Sequence, residues 1–533
     1  MKAKDYNISS EKFQFHTIGE TIHDKKLETK PMSYFKDALY RFTKNKASIL
    51  AAFVIALLLL FAIIGPFFTP YKVIDSDINY GYVLPKSNLA TKMGIKFWDG
   101  KKTLNVNKMT LDQYLAIEEE INKGLPEGQT YEVVCGEIKE YQKLDQTNKL
   151  KTMYEIYVDT YNKVGMDFIL LNKEEYKALQ EYQDKNNIQI LYPVTEKSKR
   201  PTATQDKDDP QYWYATKVGK GNKTEIVYDE NGKLIPIYKE YAKDENGNYI
   251  VNDDYTSKMR IKGDNGQYAY ADNKQGGSYH VRVNYREYYI YYHTQVLKDK
   301  IKEPIFLFGA TSLGKDLFVC LASGARFSFI LSIIVATVNL VFGAIYGAIE
   351  GYYGGKVDLI MERVCDILGS IPFYIVITLL KYHLNVSHLI VLFISFFLTG
   401  WMGMAGRTRM QFYRFKNQEY VLVARTLGAK DRRIMFKHIF PNAIGTLITS
   451  CVLVIPSVIF SETSLTYLQI IDLESTSLTS VGTLLAHGQN ELFQNPHVLI
   501  FPSLFISLLM LSFNLFGNGL RDAFNPSLRG TEE

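Results

Sequence analysis

Five long uncharged apolar runs constrain the fold of this chain more than any other feature. They lie at residues 47–68, 327–349, 384–406, 439–461 and 498–520. Each is long enough to cross about 30 Å of hydrocarbon as a helix. A shorter run at 367–380, between Asp366 and Lys381, predicts a sixth span if its flanks contribute. The pattern predicts an all-α polytopic membrane protein with six transmembrane helices.

The first run, 47–68, predicts a membrane anchor that is not cleaved. It follows roughly 46 polar residues, and its 22 uncharged residues exceed the apolar part of a typical signal peptide. Basic residues close to a span set its orientation. Four of them, Lys36, Arg41, Lys44 and Lys46, precede this run. They place the N-terminal segment, 1–46, in the cytoplasm, and six spans return the tail, 526–533, to the same side.

The loop between the fourth and fifth predicted spans, about 407–438, carries nine lysines and arginines against two acids, Glu419 and Asp431. This balance predicts a cytoplasmic loop in a multi-pass protein of the cell membrane. Residues 72–303, which follow the first span, then lie outside. Long translocated segments are largely exempt from the charge rule, so the many lysines of this region do not contradict the placement.

Residues 72–303 predict an inserted extracytoplasmic α+β domain that rests on the membrane part. Helical patterns dominate 108–190, where Thr110 is a plausible N-cap and Gly124 and Pro126 end the first helix. From 211 to 295 the pattern favours strands in a β-meander. Three Asn-Gly pairs, at 231–232, 246–247 and 265–266, separate short strand-like runs, and Asn-Gly suits tight hairpin turns that need positive φ.

A run of tyrosines near the end of this region has two interpretations. Its members are Tyr285, Tyr288, Tyr289, Tyr291 and Tyr292. They would form either a face that binds peptide or sugar, or one layer of a sheet with half-buried aromatic rings. We favour the sheet, because strand-like runs precede the tyrosines.

The sequence predicts no catalytic, cofactor or metal site in the chain. GATSLGKD, at 309–316, has the spacing of a phosphate-binding loop, but Asp316 stands where a Ser or Thr would hold magnesium. ATP hydrolysis must therefore come from a partner. The four cysteines lack metal-type spacing, and Cys135 alone lies well inside the large polar region. His383 and His388 are more typical of solvated interfacial histidines than of metal ligands.

The segment from Glu419 to Asn442, EYVLVARTLGAKDRRIMFKHIFPN, is the strongest functional candidate. It predicts a basic amphipathic helix and loop at the membrane face, suited to grip a cytoplasmic partner. Ala424 and Gly428, four residues apart, share a helical face where small side chains allow close approach, while Arg425 can pair with acids. Gly428 could instead end the helix. Binding of the bases to anionic lipid headgroups is the alternative interpretation.

Two further features are candidates for function within the spans. Glu462, at the outer end of the fifth span, is a candidate outer gate or interface residue, because charges in a membrane are often functional. Its alternative role is capping or pairing at the interface. Gly343, Gly347 and Gly351 repeat every four residues near the end of the second span and permit a close helix contact.

From about Pro304 to Arg529 the chain resembles the C-type permease subunit of oligopeptide/dipeptide ABC importers. Five segments match in family order: FGATSLGKDLFVCLASGARFSF, GYYGGKVDLIMERVCDILGSIP, EYVLVARTLGAKDRRIMFKHIFPNA, SETSLTYLQ and FNLFGNGLRDAFNP. The third looks like the family's EAA loop. The resemblance covers about half the chain once the first span is included.

The resemblance implies a type I ABC importer permease, with a transmembrane domain at 304–525 and a cytoplasmic coupling loop at 407–441. Contact with the ATPase would fall on Glu419, Ala424, Arg425, Gly428, Ala429, Pro441 and Asn442. The implied partners are a homologous B-type permease, two P-loop ATPases that hold ATP and Mg²⁺, and an extracytoplasmic substrate-binding lipoprotein. The substrate would be a peptide. Membrane lipid would surround the chain, and nucleic acid would not be a partner. The chain would form half of the pathway and would not itself be an enzyme.

Three departures from the family pattern concern the coupling loop, an outer loop and the insertion. Leu422 and Val423 replace the Glu-Ala that precedes Ala424 in the EAA motif, so an acidic contact there would pass to Glu419. Val481 stands where the family commonly has Trp, and the insertion is much longer than usual. The alternatives are a permease for nickel or another small solute, and a membrane-anchored extracellular interaction protein.

Overall fold

The computed structural model describes residues 34–144, 148–193, 209–219, 224–237, 257–262, 267–274, 278–299, 301–475 and 478–524. The helices in these ranges are α1 (Tyr34–Lys44), α2 (Lys46–Ile64), α3 (Asn88–Lys92), α4 (Lys108–Lys123), α5 (Lys173–Asn186), α6 (Tyr285–Tyr291), α7 (Leu317–Tyr353), α8 (Gly355–Gly369), α9 (Phe373–His383), α10 (His388–Phe415), α11 (Glu419–Thr426), α12 (Asp431–Arg433), α13 (Phe440–Tyr467), α14 (Val481–Asn490) and α15 (His497–Phe524). Short π-helical turns follow α6, at Tyr292–Val296, and α12, at Ile434–Ile439.

The strands are β1 (Lys101–Val106), β2 (Val134–Leu144), β3 (Leu150–Asp159), β4 (Met166–Asn172), β5 (Leu191–Tyr192), β6 (Thr216–Val218), β7 (Thr224–Ile226), β8 (Ser257–Lys262), β9 (Gln267–Lys274) and β10 (Ser278–Asn284). All of them fall between α2 and α7. The protein is therefore mostly helical outside this region and mixed within it.

Five helical segments in the described chain are long and apolar enough to cross a membrane. They are Lys46–Phe67, Leu317–Tyr353, His388–Phe415, Asp431–Tyr467 and His497–Phe524. Each overlaps one of the five predicted apolar runs over most of its length. The first begins where Asn45 accepts hydrogen bonds from Ala47 N (3.1 Å) and Ser48 N (3.2 Å), which satisfies two donors that the helix itself leaves free.

The sixth predicted run, 367–380, is not one continuous helix, and its role as a span stays a prediction. It crosses a break between α8 and α9, whose axes bend by 72°. Pro372 lies at the break and explains it, because proline has no N–H to continue the helix and disfavours helical geometry at the preceding Ile371. The two helices together are long and apolar enough to form one broken span or a re-entrant loop.

Contacts show that α8 and α9 run from one end of the helical bundle to the other. At the end of α9, Lys381 Nζ donates to the carbonyl oxygen of Ile470 (2.7 Å), just beyond α13. His388 Nδ1, at the start of α10, lies 2.8 Å from the carbonyl oxygen of Asp472. At the opposite end, Asp358 near the start of α8 meets Arg409 in the second half of α10.

The closest helix contact joins α7 to α10 through the predicted glycine repeat. A Cβ atom at Gly343 would stand 2.6 Å from the carbonyl oxygen of Trp401, and one at Gly351 would stand 2.7 Å from that of Arg409. At Gly347 it would overlap the carbonyl oxygen of Ala405. The two backbones meet directly, which confirms the close contact expected from the glycine spacing.

The strands between α2 and α7 form antiparallel sheets in the orders β1–β3–β2 and β4–β10–β9–β8, with β5 beside β10, and a two-stranded β6–β7 pair. The expectation that helical patterns dominate 108–190 is wrong between 134 and 172, where β2, β3 and β4 lie. Ile156 and Val158 of β3 are buried two residues apart, which is the alternation of a strand. The helices α4 and α5 lie where helical sequence was expected.

Two local expectations in this region need correction. Asn107, not Thr110, caps α4, because its Oδ1 accepts from the backbone N–H of Thr110 (2.9 Å). Gly124 ends that helix as expected. In the Asn231-Gly232 turn only Gly232 has positive φ (75°), so the pair does not form the turn with two positive φ angles. The pairs at 246–247 and 265–266 lie outside the described residues.

The tyrosine run belongs to a helix, so its assignment to a sheet is wrong. Tyr285–Tyr291 is α6. Tyr285 and Tyr289 are buried in a cluster that also contains Phe306 and the first turn of α7, including Phe318. The mixed region and the helical bundle therefore share one hydrophobic core, which fixes the region against the bundle.

Residues 309–316, which have the spacing of a phosphate-binding loop, form the tight connection into α7. Gly314 has a φ of 68° and donates its N–H to Thr311 O (3.0 Å). Asp316 caps α7 by accepting from Phe318 N (2.9 Å), and burial raises the pKa of Asp316 to about 7. These residues turn the chain from the mixed region into the bundle.

Gly347→Ala should destabilise the protein, because the added methyl group overlaps the Ala405 carbonyl and forces α7 away from α10. Overpacking of this kind costs about 1–3 kcal/mol. We expect a lower thermal unfolding midpoint in detergent. Gly406→Ala is the matched control, because a Cβ at Gly406 in α10 has no neighbour within 4 Å. An equal midpoint for both variants would contradict the contact.

Candidate functional site

The segment singled out in the sequence, Glu419 to Asn442, folds as a short helix, a tight turn and a second helical start. The helix α11 ends in a Schellman turn. Ala429 N donates to Ala424 O (3.0 Å) and Gly428 N donates to Arg425 O (3.0 Å). Gly428 has a φ of 80°, a conformation that glycine adopts without the strain of a side chain. Gly428 therefore ends the helix, which was the alternative to its role on a shared face.

The buried face of α11 packs on its own chain. Val421 joins a cluster that contains Tyr352 of α7, Phe412 of α10 and Met435. Ala424 is buried as well, at 9% exposure. Its role in a contact with a partner stays a prediction.

The opposite face of α11 is apolar and exposed. Leu422 is 48% exposed, Val423 57% and Leu427 82%. These three residues, here called the α11 apolar face, include both positions where the sequence departs from the Glu-Ala of the family motif. Glu419, in the first turn of α11, is exposed as well. Exposed apolar side chains grouped on one helix mark an interaction surface more often than chance.

Polar contacts hold the rest of the segment to α7 and α13. Tyr352 donates its hydroxyl to Asp431 Oδ1 (2.7 Å), and the Arg425 guanidinium lies 5.9 Å from the centre of the Tyr352 ring. Asn442 Nδ2 donates to His438 O (2.8 Å) and to the Tyr420 hydroxyl (3.3 Å). Partial burial raises the pKa of Tyr420, so its hydroxyl stays neutral. The segment is thus tied at both of its ends.

A basic depression of about 660 Å³ lies beside this segment. Its walls are Ile345, Lys430, Arg432, Arg433, Phe436 and Lys437. Four of these six residues are positively charged, and they follow α11 in the chain. Pro441 lies in the first turn of α13 and is exposed, and Ala429 is half-buried against the same cluster as Val421.

Sequence reasoning missed an ion cluster directly behind the segment. The guanidinium of Arg409 makes two hydrogen bonds to Asp358 (2.6 and 2.8 Å) and two to Glu362 (2.8 and 2.9 Å). Its Nε lies 3.5 Å from Glu350 Oε1. Tyr413 donates its hydroxyl to Asp358 Oδ2 (2.7 Å). The cluster ties α7, α8 and α10 together at the end of the bundle that carries α11.

The signal for this cluster was present in the sequence. Glu350, Asp358 and Glu362 are acids close to apolar segments, and Asp358 and Glu362 are four residues apart on one helix face. Charges in such positions pair with one another. Arg409 was counted only as one of nine bases in the loop, which hid its acidic partners.

Glu462 lies between helices and not at an exposed interface. It is fully buried, and Ser328 of α7 donates its hydroxyl to Glu462 Oε2 (2.7 Å). Thr466 donates to the backbone carbonyl of Glu462 (3.0 Å), and Ser480 before α14 donates to the Thr466 hydroxyl (3.3 Å). The Glu462 side chain thus pairs with Ser328 inside the bundle. Its roles as an outer gate or interface residue stay predictions.

The two histidines weighed as metal ligands contact backbone carbonyls. His383 Nδ1 lies 2.9 Å from Leu379 O, and His388 Nδ1 contacts Asp472 O. In the part of the chain that the structure describes, no group of three or more His, Cys, Asp and Glu side chains is arranged to hold a metal ion.

Comparisons with known proteins extend over both ends of the chain. Residues 339–530 match the family described as binding-protein-dependent transport system inner membrane component. Residues 33–85 match the family described as N-terminal TM domain of oligopeptide transport permease C. Neither match includes residues 86–338, which contain the mixed region.

Individual relatives are similar over the same fraction of the chain. The oligopeptide transport system permease protein OppC of Bacillus subtilis is 41% identical over 242 residues, which cover 45% of this chain and 78% of the relative. The dipeptide transport system permease protein DppC of the same organism is 37% identical, covering 42% and 69%. OppC of Haemophilus influenzae is 38% identical, covering 43% and 72%.

Among solved structures, an inward-facing MetNI methionine ABC transporter aligns with a TM-score of 0.30 and 13% identity, over 39% of this chain and 96% of that one. This likeness is too distant to carry an argument.

Gly428→Val should loosen the end of α11, because a β-branched residue at positive φ is strained by roughly 1–2 kcal/mol. We expect faster trypsin cleavage at Arg425 and Lys430, read by mass spectrometry. Gly428→Asn is the matched control, because asparagine tolerates this backbone conformation. Open space surrounds the site, so the side chain itself meets no clash. Equal cleavage of both variants would contradict the role of the backbone conformation.

Proposed function

Because the chain belongs to the oligopeptide and dipeptide permease family of binding-protein-dependent transport systems, we propose that it is the C-type membrane subunit of an ATP-driven peptide importer. The observation that carries this proposal is the 41% identity to an oligopeptide permease over 78% of that relative's length. As a multi-pass membrane protein it forms half of the translocation pathway, and a homologous B-type permease forms the rest.

The α11 apolar face is the proposed contact with the ATPase. Leu422, Val423 and Leu427 would enter a cleft of the partner, and the basic depression beside them would pair with its acids. Buried apolar anchors with a polar rim are the usual anatomy of such a contact. The Glu-Ala of the EAA motif is replaced here by exposed apolar residues, so the contact at those positions is apolar. Glu419, one turn earlier, is the acid available to the partner.

The ATPase stroke would reach the spans through the packing behind α11. Val421 packs in one cluster with Tyr352 and Phe412, so a displacement of α11 acts on α7 and α10 together. The Arg409 cluster then carries the displacement to α8, the first half of the broken span. ATP and Mg²⁺ stay with the two P-loop ATPases, and this chain supplies no catalytic residue.

We propose six spans, with the α8–α9 pair as the third, and both termini in the cytoplasm. The support is geometric: Lys102 Nζ contacts Gln494 O, and Trp98 Nε1 donates to Leu307 O (2.8 Å), so the mixed region meets the bundle at the beginnings of α7 and α15. The α11 segment lies at the other end of α7. Residues 72–303 are then the extracytoplasmic insertion.

A membrane-impermeant maleimide should distinguish the two ends in intact cells. In a variant without the four native cysteines, Lys177→Cys in α5 should be labelled from outside. Arg432→Cys beside α11 should be labelled only after the membrane is permeabilised. Both positions are exposed, so accessibility within the fold does not limit the reaction. Labelling of Arg432→Cys in intact cells would show that the orientation is opposite to the proposed one.

The proposed substrate is a peptide delivered by an extracytoplasmic substrate-binding lipoprotein. The relatives named for oligopeptide and dipeptide transport support this class. A small solute such as nickel is the competing substrate class, and competition by unlabelled peptide in an uptake assay separates the two. Family membership disfavours the alternative of a membrane-anchored interaction protein, because an anchor has no need of a coupling segment.

Leu427→Asp should uncouple the permease from its ATPase. The residue is 82% exposed, so the change should leave the fold intact, while a desolvated charge in the contact costs roughly 2–4 kcal/mol. We expect loss of peptide uptake and of ATPase copurification, with unchanged membrane insertion. Leu150→Asp, an exposed position of the insertion, is the matched control. Normal uptake by Leu427→Asp would contradict the proposal that the α11 apolar face contacts the ATPase.

A further inference from the structure

A cavity of about 530 Å³ opens at the foot of the insertion, between the loop that follows α2 and the helix α6. Its volume lies in the range of small-molecule sites. Five tyrosines form much of its wall: Tyr71, Tyr285, Tyr288, Tyr289 and Tyr292. Four of the five tyrosines in the run left with two interpretations in the sequence, all except Tyr291, thus line this cavity.

The charged groups around this cavity are mostly acidic. Asp75 and Asp77 from the loop and Asp299 after α6 all contribute to its wall. His293 lies 2.6 Å from Asp299, and its ring centre is 4.1 Å from that of Tyr289. Of the described residues that line the cavity, none is lysine or arginine. Its field therefore attracts cations and repels anions.

The wall is held in place from behind. Tyr71, Tyr285 and Tyr289 are buried in the core that joins the insertion to α7. Tyr285 donates its hydroxyl to Asp77 Oδ2 (2.7 Å), which fixes that carboxylate at the wall. Burial raises the pKa of Asp77, so a positive charge nearby would stabilise its ionised form.

The remaining rings are accessible from the cavity. Tyr292 is 38% exposed, and its ring stacks with that of Tyr288 at 6.1 Å between centres. Aromatic faces attract ammonium and guanidinium groups through their negative quadrupole. The cavity therefore combines a preformed wall, accessible rings and carboxylates, with no bases among its lining residues. This combination favours organic cations over other ligands.

We propose that this cavity binds an ammonium or guanidinium group carried on an apolar stem, as in a lysine or arginine side chain of a peptide. The rings cover the stem and the cation, and Asp75 and Asp77 pair with the charge. The choice of a peptide as the carrier of the cation rests on the proposed function. Binding of a cation does not depend on that function.

The test uses the full chain in nanodiscs of phosphatidylglycerol, a lipid without an amine, and subtracts the signal that each probe gives with empty nanodiscs, because this anionic lipid itself attracts lysine. The probes are the tripeptides Ala-Lys-Ala and Ala-Glu-Ala, both acetylated at the N-terminus and amidated at the C-terminus. Saturation-transfer NMR should report saturable binding of Ala-Lys-Ala and none of Ala-Glu-Ala. Equal signals from the two probes would overturn the proposal.

Variants connect the binding to the cavity. Asp75→Asn removes a charge but keeps an oxygen that can accept from Lys72 N, the hydrogen bond that Asp75 makes at 2.8 Å. Tyr292→Leu removes an exposed ring and keeps an apolar side chain. Each should weaken Ala-Lys-Ala binding about tenfold, the scale of one cation–π or charge contact. Tyr228→Leu, at an exposed tyrosine elsewhere in the insertion, should leave it unchanged. Unchanged binding in both cavity variants, with unaltered thermal unfolding, would overturn the assignment.

A lipid amine at the neighbouring membrane surface has the same chemistry, and the nanodiscs separate it from the peptide. Addition of phosphatidylethanolamine should leave Ala-Lys-Ala binding unchanged. Complete competition by that lipid would assign the cavity to a headgroup and overturn the peptide assignment. Since the measurement needs neither an ATPase nor import, its outcome and that of the uptake experiments are independent.

Discussion

The direct contact between the backbones of α7 and α10 is the interaction on which the functional end of the molecule depends. Gly343, Gly347 and Gly351 leave no room for a side chain between the two helices. That proximity brings Tyr352 and Phe412 into one cluster, and α11 packs on this cluster through Val421. It also places Arg409 of α10 within reach of acids on α7 and α8. Without the glycines neither the seat of α11 nor the ion cluster could form.

The insertion depends on α7 as well, but at its opposite end. Phe318 and Val319 in the first turn of α7 belong to the same core as Tyr71, Tyr285 and Tyr289. A helix of 37 residues thus links the seat of α11 to the wall of the tyrosine cavity. A displacement of α7, such as the proposed ATPase contact would cause, would act at both ends of this helix, because coupling travels through rigid secondary elements and packed side chains. This continuity distinguishes the insertion from a module joined by a flexible linker.

Several errors of sequence reasoning share one physical cause. Local pattern assigned the tyrosines of α6 to a sheet and the strands β2 to β4 to helical sequence, whereas their packing decides otherwise. The strand β3 pairs with both β1 and β2, and α6 packs against the start of α7. Propensity is a weak prior wherever partners distant in sequence supply the stabilisation. Spacing likewise placed Ala424 and Gly428 on a shared face, but it could not show that Ala424 is buried within this chain.

The sequence by itself determined the apolar helices, the glycine contact and the family. Each of these follows from residues close together along the chain: the length of an apolar run, a four-residue spacing, ordered motifs. Only the tertiary structure decided which face of α11 is buried, which acids surround Arg409, and that the tyrosines and aspartates enclose a cavity. Those facts depend on how helices rotate and which distant segments meet, and packing between elements fixes both.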